Sequence, residues 1–97
     1  MSEDYLDPII HQPVRTRIFA CLASRESVTF SHLKKTLGLS DGNLTTHMKK
    51  IIDAGYAVMK KEFVNNRPRT TYRLTRKGRA AFERYLRRLK EALDLLQ

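Results

Sequence analysis

Ser40, Gly42, Asn43, Thr45, Thr46, His47, Lys49 and Lys50 crowd into one short stretch, SDGNLTTHMKK. Their chemistry is recognition. An Asn carboxamide pairs bidentately with adenine, Lys donates to guanine, and Thr hydroxyls meet base edges or phosphates. A Gly near a helix start lets backbone approach a duplex, and the exposed N–H groups there bind phosphate. A second group follows in FVNNRPRTTYRL, where Arg67, Arg69 and Thr70 lie beside a turn. Arg at a hairpin tip fits a narrow minor groove, where the negative potential is strongest. Bond-making chemistry lacks its parts. There is one cysteine, no Ser-His-Asp spacing, no Gly-rich phosphate loop and no carboxylate pair in an apolar setting. The chain is read as a non-enzyme that needs no cofactor.

Elements must position these groups. Leu44, Met48, Ile51 and Ile52 recur at i, i+4, i+7 and i+8, an apolar stripe on a helix over 41–54. Gly42, Asn43, Thr46, Lys49, Lys50 and Asp53 fall opposite, with Thr45 and His47 at the flanks. Ser40 caps this helix and Gly55 ends it. A shorter helix over 31–37 precedes it, with Ser31 as N-cap, Leu33 and Leu37 on one face, and Gly38 closing it. Leu39 plugs the turn into the core. Upstream, Pro13 opens a helix carrying Val14, Ile18, Cys21 and Leu22, which ends near Ser24. Ser27 to Phe30 is β-prone and short, and is expected to pair with the later hairpin.

That hairpin is read as β-rich runs over 56–63 and 70–74, joined by residues 64–69. Asn65 and Asn66 tolerate positive φ and suit its tip. Pro68 has no N–H to donate, which places it in the loop or on a sheet edge. Thr75 caps a last helix running to about Leu96. Along it Phe82, Leu86, Leu89, Leu93 and Leu96 step by 4, 3, 4 and 3, a heptad seam. A small core cannot cover that length, so the distal leucines ask for a partner helix.

Ninety-seven residues make one domain, and the formal charge of +9 favours a polyanionic partner. Charge is uneven: Glu3, Asp4 and Asp7 make the start acidic, whereas cations dominate from Lys60 to Lys90. Cys21, among Ile18, Phe19 and Leu22, reads as a small buried hydrophobe, and a single cysteine excludes an internal disulfide. The acidic beginning does not resemble a signal peptide. The longest apolar run, 18–23, is far below the ~20 residues of a membrane span. A cytoplasmic protein with no membrane partner is expected. His11, His32 and His47 are scattered, none followed by a ligand at i+3 or i+4, so no metal site is assigned.

The run SHLKKTLGLSDGNLTTHMKKIIDAGYAVMKKEFVNNRPRTTYRLTRKGRAAF resembles the MarR/ArsR-like winged-helix transcriptional regulators. It is most similar to a small single-domain group with the RPRTTYRLT wing strand followed by a GRAAF helix start. The resemblance covers 14–89. It implies an α+β winged helix-turn-helix with a three-helix core, a β-hairpin wing and a long C-terminal dimerisation helix. It also implies a DNA-binding homodimer that reads DNA through 41–54 and its wing. Asn43, Thr45, Thr46, His47, Lys49 and Lys50, with Arg67 and Arg69, take the DNA contacts. One departure stands out: the helix over 31–37 lacks the Cys pair of metal-sensing ArsR members.

The whole chain, 1–97, is thus read as one DNA-binding domain. Residues 1–12 form an arm or short helix, 13–75 the winged-helix core, and 76–97 the dimerisation helix. The expected function is sequence-specific binding of double-stranded DNA as a homodimer, acting as a repressor on a pseudo-palindrome. Two other classes stay open on residues alone. One is a winged-helix module for protein or RNA, and the other a nonspecific architectural DNA binder. No residue points to a particular small-molecule effector.

Overall fold

In the computed structural model, which describes residues 5–97, four helices and three strands follow one another. They are α1 (Pro13–Ala23), β1 (Val28–Thr29), α2 (Phe30–Leu37), α3 (Asp41–Asp53), β2 (Ala57–Val64), β3 (Arg67–Leu74) and α4 (Arg76–Asp94). The strands form one antiparallel sheet in the order β1-β3-β2. This is the expected α+β winged helix. The acidic pair Glu3 and Asp4 lies outside the described residues.

Local chemistry explains the boundaries. Pro13 opens α1, and the Gln12 side chain accepts from the Arg15 N–H. The cap of α2 is Thr29, not Ser31: its Oγ1 accepts from the His32 N–H at 3.0 Å. Thr29 is extended because it also ends β1, so one residue closes a strand and starts a helix. Gly38 ends α2 with φ 66°, a left-handed conformation that suits a residue without Cβ. Ser40 caps α3 by accepting from the Asn43 N–H at 3.1 Å. Lys34 Nζ meets Asp41 Oδ1 at 2.8 Å across the turn between α2 and α3.

The hairpin is tighter than the sequence suggested. Asn65 and Asn66 have φ 53° and 63°, a two-residue turn whose twist matches the flanking strands. Pairing therefore runs to Val64↔Arg67, so residues 67–69 lie in β3 rather than in a loop. The pair flanking such a turn is hydrogen-bonded and the next pair is not, so Pro68 opposite Phe63 owes β2 no donor. β1 pairs only with Thr71 and Tyr72, leaving the other edge of β3 open at Pro68.

Ile10, Ile18, Phe19, Leu22, Leu33, Leu44, Met48 and Ile51 form the fully buried centre. Phe19 stacks on Phe82 with centroids 5.6 Å apart, and Phe82 on Tyr85 at 6.2 Å. The first half of α4 is therefore part of the same core. Residues 5–12 are neither helix nor free arm. The Asp7 carboxylate and carbonyl accept from Ile9, Ile10 and His11, folding a turn that buries Ile10 completely. Cys21 is half-buried against the core. Among the described residues no helix is long and apolar enough to cross a membrane.

Candidate nucleic-acid interface

Helix α3 turns Leu44, Met48 and Ile51 into the core, at 0–1% exposure, which fixes the phase of everything else on it. Ser40, Gly42, Asn43, Thr45, Thr46, Lys49 and Lys50 are all exposed, as one outward surface. They differ in freedom. Thr46 Oγ1 donates to the Gly42 carbonyl at 2.9 Å, which leaves the hydroxyl lone pairs facing out. Lys49 Nζ is paired with Asp53 at 2.7 Å, an exposed ion pair of small energy. Lys50 carries no salt bridge among the described residues. His47 is half-buried, and its Nδ1 stands 3.2 Å from a guanidinium nitrogen of Arg15. Burial lowers the His47 pKa below its usual 6.5, and the Arg15 and Lys50 charges add to this. The ring is consequently neutral at pH 7.

The register of the wing sorts its side chains. Lys60, Glu62 and Val64 on β2 stand opposite Thr71, Arg69 and Arg67 on β3, and Val58 opposite Arg73. Since alternate residues share a face, Lys60, Arg67, Arg69 and Arg73 lie on one face of the wing. Lys60 and Glu62 approach at 3.3 Å within it. Thr70 falls on the other face, with Lys61, Phe63 and Pro68, and is half-buried. The expected trio of Arg67, Arg69 and Thr70 is therefore split by the pleat. Phe63 is 77% exposed on the Thr70 face, which the spacing of the charges alone did not reveal.

Wing and helix-turn-helix are brought together by an open groove of about 620 Å³. Thr29, Phe30 and Ser31 line it from the start of α2, and Val64, Arg67, Pro68, Arg69 and Thr70 from the wing. Ser31, assigned to capping on sequence grounds, is released from that duty by Thr29 and lines the groove instead. Arg15 is a second residue that sequence reasoning missed. It lies on α1, and no local spacing connects it with His47.

The heptad seam on α4 divides in two. Phe82 is 8% exposed and held by Phe19 and Tyr85, so the protein's own core has taken it. Its assignment to an intermolecular face is corrected on that ground. Leu89 is half-buried beside the core. Leu86, Leu93 and Leu96 are 47%, 56% and 84% exposed. Among the described residues no group of His, Cys, Asp or Glu side chains is assembled to hold a metal ion.

Known proteins carry the same arrangement. The family model of the winged helix DNA-binding domain matches residues 14–93. A transcriptional regulator homologue from Pyrococcus horikoshii OT3 superposes with a TM-score of 0.87 at 33% identity, over 94% of this chain and 90% of that one. A possible transcriptional regulator for arsenical resistance superposes with a TM-score of 0.65 at 25% identity, over 95% of this chain and 85% of the other. An uncharacterized protein of Methanocaldococcus jannaschii is 40% identical over 78 residues, 80% of this chain and 85% of its own length. With its fold, outward polar helix and basic wing accounted for, the chain belongs to the winged helix DNA-binding domain family and is a transcriptional regulator of that fold.

Proposed function

We propose that this protein binds double-stranded DNA at a specific sequence as a homodimer and represses transcription from that site. The observation that carries the reading is the outward face of α3. Asn43, Thr45, Thr46, Lys49 and Lys50 are all exposed there, while Arg67 and Arg69 line an open groove beside α2. In this reading α3 enters the major groove. Asn43, Thr45, Thr46 and Lys50 meet base edges, and Ser40, Gly42 and Lys49 lie near phosphates. Arg67 and Arg69 follow the backbone into the adjacent minor groove, with Thr70 supporting them from the other face.

The dimer is proposed through the exposed distal part of α4 and the turn after it, with Leu86 and Leu93 on the helix and Leu96 just beyond its end facing a second copy, and Leu89 at the rim. Helix α4 has 19 residues, about 28 Å at the usual rise. The core takes Phe82 and Tyr85 and half-buries Leu89, while Leu86 and Leu93 stay exposed, so an apolar strip remains for another α4. Two α3 helices would then reach successive major grooves, with half-sites roughly 34 Å apart. Repression follows as occlusion of the promoter. Its place of action is the cytoplasm.

Selection of bound sites from a random duplex pool, at two salt concentrations, tests this. An enriched pseudo-palindrome that survives the higher salt supports it. Unenriched DNA that is released as salt rises means a nonspecific binder, because counterion release is then the whole driving force. Failure to retain duplex at either salt redirects the search to protein or RNA partners.

A further inference from the structure

A histidine on a reading helix is ambiguous, because each ring nitrogen can donate or accept. At His47 the surroundings remove the ambiguity. Its Nδ1 lies 3.2 Å from Arg15 Nη1, and a guanidinium has donors only and keeps its proton throughout the usable pH range. Nδ1 must therefore carry the lone pair. In a neutral ring the proton then sits on Nε2, on the far edge from Arg15.

Arg15 is itself held in place. Its Nε donates to the Ile9 carbonyl, its Nη2 to the Pro8 carbonyl at 3.2 Å, and its backbone N–H to Gln12 Oε1 at 2.8 Å. Those carbonyls belong to the turn that Ile10, fully buried, anchors in the core. The chain from Ile10 through Arg15 to His47 is thus fixed at each link, and three separate segments meet in it. Protonation of His47 would set a second positive charge against Arg15, with Lys50 one helical turn away on the same face. No carboxylate contributes at the ring to offset them.

We propose that Arg15 positions His47 as a one-way hydrogen-bond donor, whose Nε2–H selects an acceptor on the DNA. The acceptor class is guanine O6 or N7, adenine N7 or thymine O4 on a major-groove edge. A base that turns an amino group to this point, cytosine N4 or adenine N6, is rejected, since donor would face donor. Arg15 acts through His47 and is a positioning residue. The inference rests on α3 being the DNA-reading helix, and it assigns one position of the site to one atom of the protein.

The test has two arms. In the first, long-range proton–nitrogen NMR of the His47 ring is recorded on the full chain without DNA from pH 5 to 8. The expected result is a proton on Nε2, a bare Nδ1, and a titration midpoint below the usual 6.5. In Arg15→Lys, which keeps the charge and loses the planar fork, the two tautomers mix. In Arg15→Met the midpoint also rises. A ring protonated on Nδ1 in the unaltered protein, or identical spectra in all three proteins, overturns the proposal without touching the assignment of α3.

In the second arm, the selected duplex is altered one base pair at a time. His47→Phe is expected to flatten the preference at a single base pair, by about tenfold, as fits the loss of one hydrogen bond and its mismatch penalty. Arg15→Lys weakens the same preference and no other. Unchanged preference at every position in both variants removes His47 as a reader while α3 keeps its role. An unaltered protein with no preference at any position would sink the α3 reading as well, so the two failures are told apart.

Discussion

Gly78 lies against the backbone of Tyr56 so closely that a Cβ on Gly78 would stand 1.9 Å from the Tyr56 carbonyl oxygen. The same oxygen accepts from the Thr75 N–H at 3.0 Å, and Thr75 Oγ1 donates to the Gly55 carbonyl at 2.7 Å. The root of the wing and the first turn of α4 are thus joined backbone to backbone. Gly78→Ala must force them apart, and backbone cannot yield as a flexible side chain does. A loss of about 2–3 kcal/mol is expected in urea unfolding. An alanine variant as stable as the parent would show that the two backbones can part at no cost.

The two halves of the α4 seam should answer differently to substitution. Leu86→Glu combined with Leu93→Glu changes exposed positions, so the protein is expected to stay folded and sediment as a monomer. Phe82→Ala empties a buried site between Phe19 and Tyr85 and should cost about 3–4 kcal/mol of stability. A double glutamate variant that still sediments as a dimer would move the interface to another surface.

Thr46→Ala or Lys50→Ala is expected to weaken binding of the selected site by roughly 1–3 kcal/mol where the side chain meets a base. The comparison that matters is with random duplex. Equal losses on both would make the contact a phosphate contact.

Arg69→Ala should lower the slope of log K against log salt by about one unit if its guanidinium neutralises one phosphate. Filter binding across a salt series measures it. An unchanged slope would take the Arg67 and Arg69 face of the wing off the DNA.

Alkaline stability should depend on Tyr56. Burial, then the hydrogen bond and charge of Asp7, push its hydroxyl from 10.0 up to about 12. The folded value is raised above the unfolded one, so the contribution is full below pH 10 and is lost as pH climbs toward 12. Urea midpoints measured across that window should fall more steeply for the native protein than for Tyr56→Phe. Parallel curves would mean that Tyr56 titrates alike in both states.

Helices and strands were legible because their signals are local. The spacing of Leu44, Met48 and Ile51 fixed which side of α3 is buried, and Asn65-Asn66 marked the turn. Ser31 and Thr29 both suit an N-cap, and only the pairing of β1 with β3 decides between them. Thr70 reads as a neighbour of Arg69, yet a strand sends adjacent side chains to opposite faces, so knowing that residues 67–69 are strand was essential. Phe82 and Leu86 share one heptad seam on paper. What separates them is how far along α4 the core extends, and that is set by Phe19, far away in sequence. The Arg15–His47 contact is of the same kind, since a turn that buries Ile10 has to exist before Arg15 has carbonyls to lean on.

Pro68 also bears on how the protein behaves when crowded. A strand from another molecule laid along the open edge of β3 would find a donor missing at Pro68 and positive charge at Arg67 and Arg69 on either side. Wing-to-wing zippering is thereby discouraged both by geometry and by repulsion. The proline that the non-hydrogen-bonded register of β2 and β3 tolerates is thus the same residue that blunts the outer edge of the strand.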